Sequence, residues 1–236
     1  MTTRFVRVLG AAVIGAVVAL TAAACTTPSS TPPEHTSTAA LPTGKTGGAD
    51  FGGGRLVVGT GKTVVDTYID PMCPYCGQFE KANDRALATL VNDGTITLRI
   101  HPLDFLDPNS QGTQYSSRAS SALTCVAASD PRATLTYLAA LYDNQPAEHT
   151  AGLSNAKLVS LAHGVGATDA DSCITSTKYL EWVSHFTQKA LDGPIPGADI
   201  PSIQGTPTVL VNGHSYTGGI ADTKALKSFI ASGGRS

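Results

Sequence analysis

The feature that most narrows the fold is a short segment, Asp70-Pro-Met-Cys-Pro-Tyr-Cys76, set between two stretches of opposite periodicity. Before it, Thr63–Ile69 is rich in β-branched and aromatic residues and reads as a strand ending at Asp70-Pro71. After it, residues 74–93 read as a helix. Pro74 suits the first turn, and Phe79, Ala82, Ala86, Leu87 and Leu90 form one apolar stripe. Asn92-Asp93-Gly94 stops that helix, and residues 95–101 place Ile96, Leu98 and Ile100 on one face of a second strand. Strand, helix and strand at this spacing make a βαβ unit, which builds a parallel pair.

The position of the cysteines on this unit has a chemical meaning. A helix N-terminus offers unpaired N–H groups and a partial positive charge, and both stabilise a thiolate. Cys73 is therefore expected to be the exposed nucleophile and Cys76, one turn inside, its resolving partner. A Cys-x-x-Cys beside a βαβ pattern is a redox signature. The competing uses are half of a zinc site or a copper-binding loop. Zinc needs two more ligands, and Cys125 and Cys173 lack metal-like spacing. His35, His101, His149, His163, His185 and His214 fall in no paired ligand pattern, so no metal is expected. Two-cysteine chemistry calls for no bound cofactor.

From residue 116 to 191 the texture is helical. Asp130-Pro131 starts a helix with Leu135, Leu138, Ala139 and Tyr142 in step, Ser154 caps a short one, and residues 179–191 carry Leu180, Val183, Phe186 and Ala190. A loop over 193–205 leads into an apolar β run at 207–212, and residues 222–231 close the chain as a helix. The expected domain is thus a βαβ half and a ββα half, split by a helical insertion. Cys125 and Cys173 lie in that insertion. With Cys73 and Cys76 assigned to each other they pair by elimination as a structural disulfide, although four cysteines allow three connectivities. A second redox-active pair is the competing role. In Gly205-Thr-Pro-Thr-Val209, a proline opens an apolar strand, which suits an edge or an unusual conformation. If Thr206–Pro207 is cis, the Thr206 backbone is left to pair with an extended peptide. A trans bond at a strand start is the alternative.

The N-terminus is of another kind. Arg4 and Arg7, the apolar run 8–20 and Thr21-Ala-Ala-Ala24 form a secretory signal over residues 1–24. Cys25 follows at once, and the segment resembles a bacterial lipoprotein signal, in which that cysteine becomes the lipidated first residue. Ala22 replaces the usual Leu, and ordinary cleavage nearby or an uncleaved anchor are the alternatives. Residues 25–54 are rich in Thr, Ser, Pro and Gly with only Leu41 and Phe51 as large apolar side chains, so they read as a flexible tether. The folded domain is then 55–236, with the insertion at about 111–194. Extracytoplasmic placement at the cell-envelope face of the membrane follows. The net charge is −2, from 16 Lys+Arg against 18 Asp+Glu without runs, which argues against a nucleic-acid partner.

The motif segment, the helical insertion and Gly205-Thr-Pro-Thr-Val-Leu-Val-Asn-Gly213 resemble the DsbA-like thiol–disulfide oxidoreductases over nearly all of residues 55–236. The resemblance implies an α/β thioredoxin-like fold with an inserted helical domain, and it looks closest to exported actinobacterial members with an extra disulfide in the insertion. It implies attack at Cys73, resolution by Cys76, a cis-proline at Pro207 and a peptide site lined by Thr206. Met72 and Tyr75, beside the nucleophile, are expected to complete that site with Thr206 and Pro207, with core gap filling the alternative for Met72. The expected activity is oxidation of reduced or unfolded secreted proteins, with reoxidation by a quinone-linked membrane partner. An isomerase or reductase of the same fold, or a metal- or peptide-binding lipoprotein, are the alternatives. Two departures stand out. A buried carboxylate six residues before the first cysteine is replaced by Thr67, while Asp66 lies on the opposite strand face and reads as solvated. The motif dipeptide is Pro74-Tyr75, which offers no imidazolium to the Cys73 thiolate and implies a milder oxidant.

Overall fold

The computed structural model describes residues 40–235. The predicted signal, Cys25 and the first part of the predicted tether lie outside the described residues. A mixed sheet of seven strands forms the centre, in the order β1-β2-β3-β5-β4-β6-β7. The strands are β1 (Lys45–Thr46), β2 (Ala49–Asp50), β3 (Arg55–Val58), β4 (Thr63–Ile69), β5 (Ile96–Pro102), β6 (Thr208–Val211) and β7 (His214–Ser215). Only β4 and β5 run parallel, with Thr67 opposite Ile100 and Asp66 opposite Arg99. Helix α1 (Pro74–Asn92) joins them, as its apolar stripe and the parallel pairing require.

The insertion between β5 and β6 contains α2 (Tyr115–Ser129), α3 (Thr134–Asp143), α4 (Asn155–Gly164), α5 (Asp171–Thr175) and α6 (Leu180–Asp192). Helix α7 (Thr223–Ala231) closes the chain, capped by the Asp222 carboxylate on the Ala225 N–H. Helix α2 runs through the middle of the insertion although its sequence is polar. Its serines are buried because each finds a partner: Ser116 donates to Asp70, Ser120 to the Leu103 carbonyl, and Ser121 accepts from the Tyr179 N–H. Cys125 on α2 and Cys173 on α5 are joined in a disulfide with their Cα atoms 5.8 Å apart.

The folded unit begins earlier than composition suggests, which corrects the tether boundary at residue 54. Residues 45–50 form a hairpin whose β2 pairs with β3, and Gly48 donates to the Ala127 carbonyl at the end of α2. Gly47 has φ +53, and a Cβ there would stand 2.4 Å from the Ala128 carbonyl oxygen, so the approach of hairpin to helix needs glycine. The anchor is Phe51. Its ring packs edge-on against Trp182 at 5.6 Å and tilted against Tyr179 at 4.9 Å, and its carbonyl accepts from the Trp182 indole at 3.0 Å. One aromatic residue orders a segment whose composition alone would leave it loose. Phe51→Ala is expected to destabilise the protein by about 3–5 kcal/mol, read as a lower urea midpoint. An unchanged midpoint would return residues 40–54 to the tether.

Candidate active site

The two parallel strands end together, and the redox segment leaves β4 at that end. Asp70 fixes its path. The buried carboxylate accepts from the Met72 N–H at 2.7 Å, the Leu106 N–H at 2.8 Å and the Ser116 hydroxyl at 2.7 Å. The Asp70 carbonyl accepts from the Cys73 N–H at 3.0 Å and from the Tyr142 hydroxyl at 3.1 Å. Burial pushes the carboxyl up to about 7 in spite of those donors. Gln145, just after α3, donates to both the Pro71 and Cys73 carbonyls at 3.0 and 2.8 Å. Asp70, Tyr142 and Gln145 were not singled out from the sequence. The only hint was that Asp70 sits between a strand end and a proline.

Cys73 is the N-cap of α1, with Pro74 opening the first turn. Both motif cysteines are free thiols and both are buried, Cys73 at 5% exposure and Cys76 at 0%. Cys73 reaches across to the Thr206 carbonyl at 3.3 Å. Its thiol is lowered to about 6. The Cys76 thiol contributes most by hydrogen bonding to it; the Thr206 side chain and the Cys76 and Tyr75 N–H groups add to this, against the opposing effect of burial. The Thr206 hydroxyl is buried and makes no hydrogen bond of its own among the described residues. Cys76 moves the opposite way, raised by burial and by its bond to Cys73. A pair split in this direction has one thiolate near neutral pH and one proton to hold it.

The structure brings Cys73, Cys76, Tyr75, Thr206 and Pro207 to the same end of the sheet, and the Thr206–Pro207 bond is cis. Tyr75 is 60% exposed and stands out from the first turn of α1. Phe105, at 41%, is exposed in the loop after β5. Met72 does not join them. Its exposure is 0%, so it fills core beneath the cysteines and is not a substrate contact, a correction to the expected peptide site.

Asp66 is also corrected. It is buried on the face of β4 turned away from α1, where His101 Nε2 lies 2.8 Å from its Oδ1. Thr67 faces α1, as the strand alternation predicts. The carboxyl on that side comes from the helix instead. Glu80, one turn beyond Cys76, is buried, and burial followed by the nearby Asp84 charge pushes it up to about 8. It lines a cavity together with Thr67, Leu98 and Leu135. Among the described residues no cluster of three or more His, Cys, Asp or Glu could hold a metal ion.

A cysteine pair at the mouth of a strand–helix turn, faced by a cis-proline loop, is the arrangement of a thiol–disulfide exchange fold. A family model described as Thioredoxin matches residues 54–231, and the DsbG disulfide oxidoreductase of Mycobacterium tuberculosis is 33% identical over 73% of this chain and 83% of its own, with a TM-score of 0.61. The chain belongs to the thioredoxin family and, within it, to the DsbA-like thiol–disulfide oxidoreductases. DsbA of Mycobacterium tuberculosis in its reduced form is 29% identical over 77% of this chain and the whole of its own, also at a TM-score of 0.61. The serine/threonine-protein kinase PknE of Mycobacterium tuberculosis is 40% identical over 119 residues, which is 48% of this chain. The match spans only 21% of the kinase's length.

The charge on Cys73 has a direct readout. Alkylation by iodoacetamide in the reduced protein is expected to rise with a midpoint near about pH 6. Cys76→Ala should move that midpoint up toward the ordinary thiol value of about 8.5, because the largest stabilising contact is removed. A midpoint that stays put in the variant would assign the effect to Thr206 and the helix N–H groups.

Proposed function

We propose that the protein is an exported disulfide oxidase acting on reduced or unfolded secreted proteins. The observation that carries this reading is the split pair: Cys73 lowered to about 6 while Cys76 is raised. In the oxidised enzyme a substrate thiolate attacks the Cys73 sulfur and Cys76 leaves, taking up a proton. A second substrate thiolate then attacks the substrate sulfur of the mixed disulfide and expels Cys73. Two electrons pass from two substrate thiols to the enzyme dithiol. Cys73 is the better leaving group because its thiolate is stabilised, and the same stabilisation favours the reduced enzyme and so makes the disulfide an oxidant.

Linkage sets the pH sense. A depressed thiol stabilises the reduced fold fully above the unfolded thiol value of about 8.5, and that contribution is lost as pH falls through about 6. The disulfide is therefore a relatively stronger oxidant at pH 8 than at pH 5, when compared with an ordinary dithiol. Substrate would lie over Tyr75 and Pro207 as an extended strand. The Thr206 N–H makes no hydrogen bond among the described residues and is placed to pair with it. A quinone-linked membrane protein would restore the disulfide, and a lipid on Cys25 would hold the enzyme at the membrane.

The direction is tested by equilibrating the reduced and oxidised protein with glutathione. A potential between about −120 and −180 mV is expected. A value near about −270 mV would mark a reductase and overturn the oxidase reading. The anchor is tested separately: Cys25→Ser should move the protein from the membrane to the soluble fraction and remove palmitate labelling, and labelling that persists rules the lipid at Cys25 out.

A further inference from the structure

The sheet has a second face, and it is only partly covered. β3 and β4 are joined by residues 59–62 alone, so no helix crosses that face between them. The C-terminal part of α6 and the 193–205 loop cover the region over Leu103, Leu210 and Ile203. What remains is a cleft of about 640 Å³, within the range of small-molecule sites. Its floor is the alternate set of strand residues: Asp66 and Tyr68 from β4, Arg99 and His101 from β5, and Leu210 from β6. None of Cys73, Tyr75, Cys76, Thr206 or Pro207 lines it.

The polar groups in the cleft divide into satisfied and unsatisfied ones. Asp66 is held by His101, and Arg55 at the rim is held by Asp50 at 2.9 Å. Arg99 and Lys189 have no carboxylate partner among the described residues, and both line the cleft. The Lys189 ammonium lies 5.3 Å above the Phe186 ring, on the wall. Tyr68 is only 6% exposed, yet its hydroxyl makes no hydrogen bond among the described residues. That hydroxyl is not among the buried atoms left unpaired, so it opens onto the cleft as a donor that water or a ligand can meet. Two free cations and one free donor face a space whose surface is mixed, somewhat more apolar than polar.

The aromatic content sets the shape. Tyr68 and His101 stack with centroids 4.1 Å apart and planes 12° from parallel, and Phe186 faces them from the wall. Rings of this kind accept a flat ligand edge-on or offset.

We propose that this cleft binds a small aromatic acid, its anionic group between Arg99 and Lys189, its acceptor oxygen on the Tyr68 hydroxyl, and its rings against Phe186 and Leu210. The site is separate from the redox pair and lies on the opposite face of the sheet. Asp66 offsets part of the positive charge, so one negative charge on the ligand fits better than two or three.

The probe is 8-anilinonaphthalene-1-sulfonate, titrated by fluorescence into the full-length protein. Its neutral analogue, N-phenyl-1-naphthylamine, has the same rings without the sulfonate. Saturable binding at one site is expected for the sulfonate, at least tenfold tighter than for the amine. Arg99→Gln with Lys189→Gln should weaken the sulfonate at least tenfold and leave the amine unchanged. Lys189→Gln alone, on an exposed helix position, repeats the test without touching the sheet. Tyr75→Ala should leave sulfonate binding intact, which keeps the cleft distinct from the exposed surface near Cys73. Equal binding of the two probes, unchanged binding in the lysine and arginine variants, loss in Tyr75→Ala, or tighter binding of decanoate than of the aromatic sulfonate would each overturn the proposal.

Discussion

The structure depends on one buried carboxylate. Asp70 stands where β4 ends and takes hydrogen bonds from its own segment, from the loop after β5 and from the first turn of α2. Those three pieces belong to the motif, to the sheet and to the insertion. A neutral side chain of the same size could satisfy at most part of that set, since two of the donors are backbone N–H groups that no repacking removes. The insertion adds three more hydrogen bonds from α3 and the residues after it, one from Tyr142 to the Asp70 carbonyl and two from Gln145 to the carbonyls of Pro71 and Cys73. The cysteine turn is therefore held from the helical side as much as from the strand that delivers it.

The reactivity of Cys73 follows from that placement without a basic residue in the motif. Tyr75 supplies no positive charge, which implies a thiol less depressed than one beside an imidazolium. The fold compensates through neutral donors: a second thiol, a threonine side chain from a distant loop and the N–H groups of the first helical turn. Several short dipoles in a partly water-excluded site act on the thiolate as one charged group would at greater distance.

What the sequence disclosed, and what it hid, divides along the range of the interactions involved. The βαβ unit, the cysteine positions and the ββα close are local patterns, and they stood in the chain in plain view. Helix α2 was harder because buried serines look like surface residues until their partners are known. The hairpin at 45–50 was missed for the opposite reason: its own residues have little tendency to order, and a single phenylalanine packed on Trp182 from far along the chain decides the matter. Asp66 reads as solvated by alternation alone, yet His101, which the register sets opposite Tyr68 and diagonal to Asp66, closes it off. Met72 adjoins the nucleophile, and sequence alone leaves it between a peptide contact and a core filler. The Asp70 carboxylate turns its backbone inward, and the side chain follows into the core.

Two sulfur–sulfur chemistries have to coexist in one small domain. The bridge between Cys125 and Cys173 closes a loop that contains all of α3 and α4, hence Tyr142 and Gln145, the residues that brace the motif from the helical side. The bridge and the reacting pair are thus two sulfur pairs with different tasks, one closing a loop and one set at a helix N-terminus. Cys125 is 1% exposed within the insertion and its partner Cys173 is partly buried, while the motif presents Pro74 and Tyr75 to solvent beside Cys73. Reduction of the bridge would free the loop that carries Tyr142 and Gln145, so the scaffold disulfide sets how firmly the reacting turn is held from the helical side.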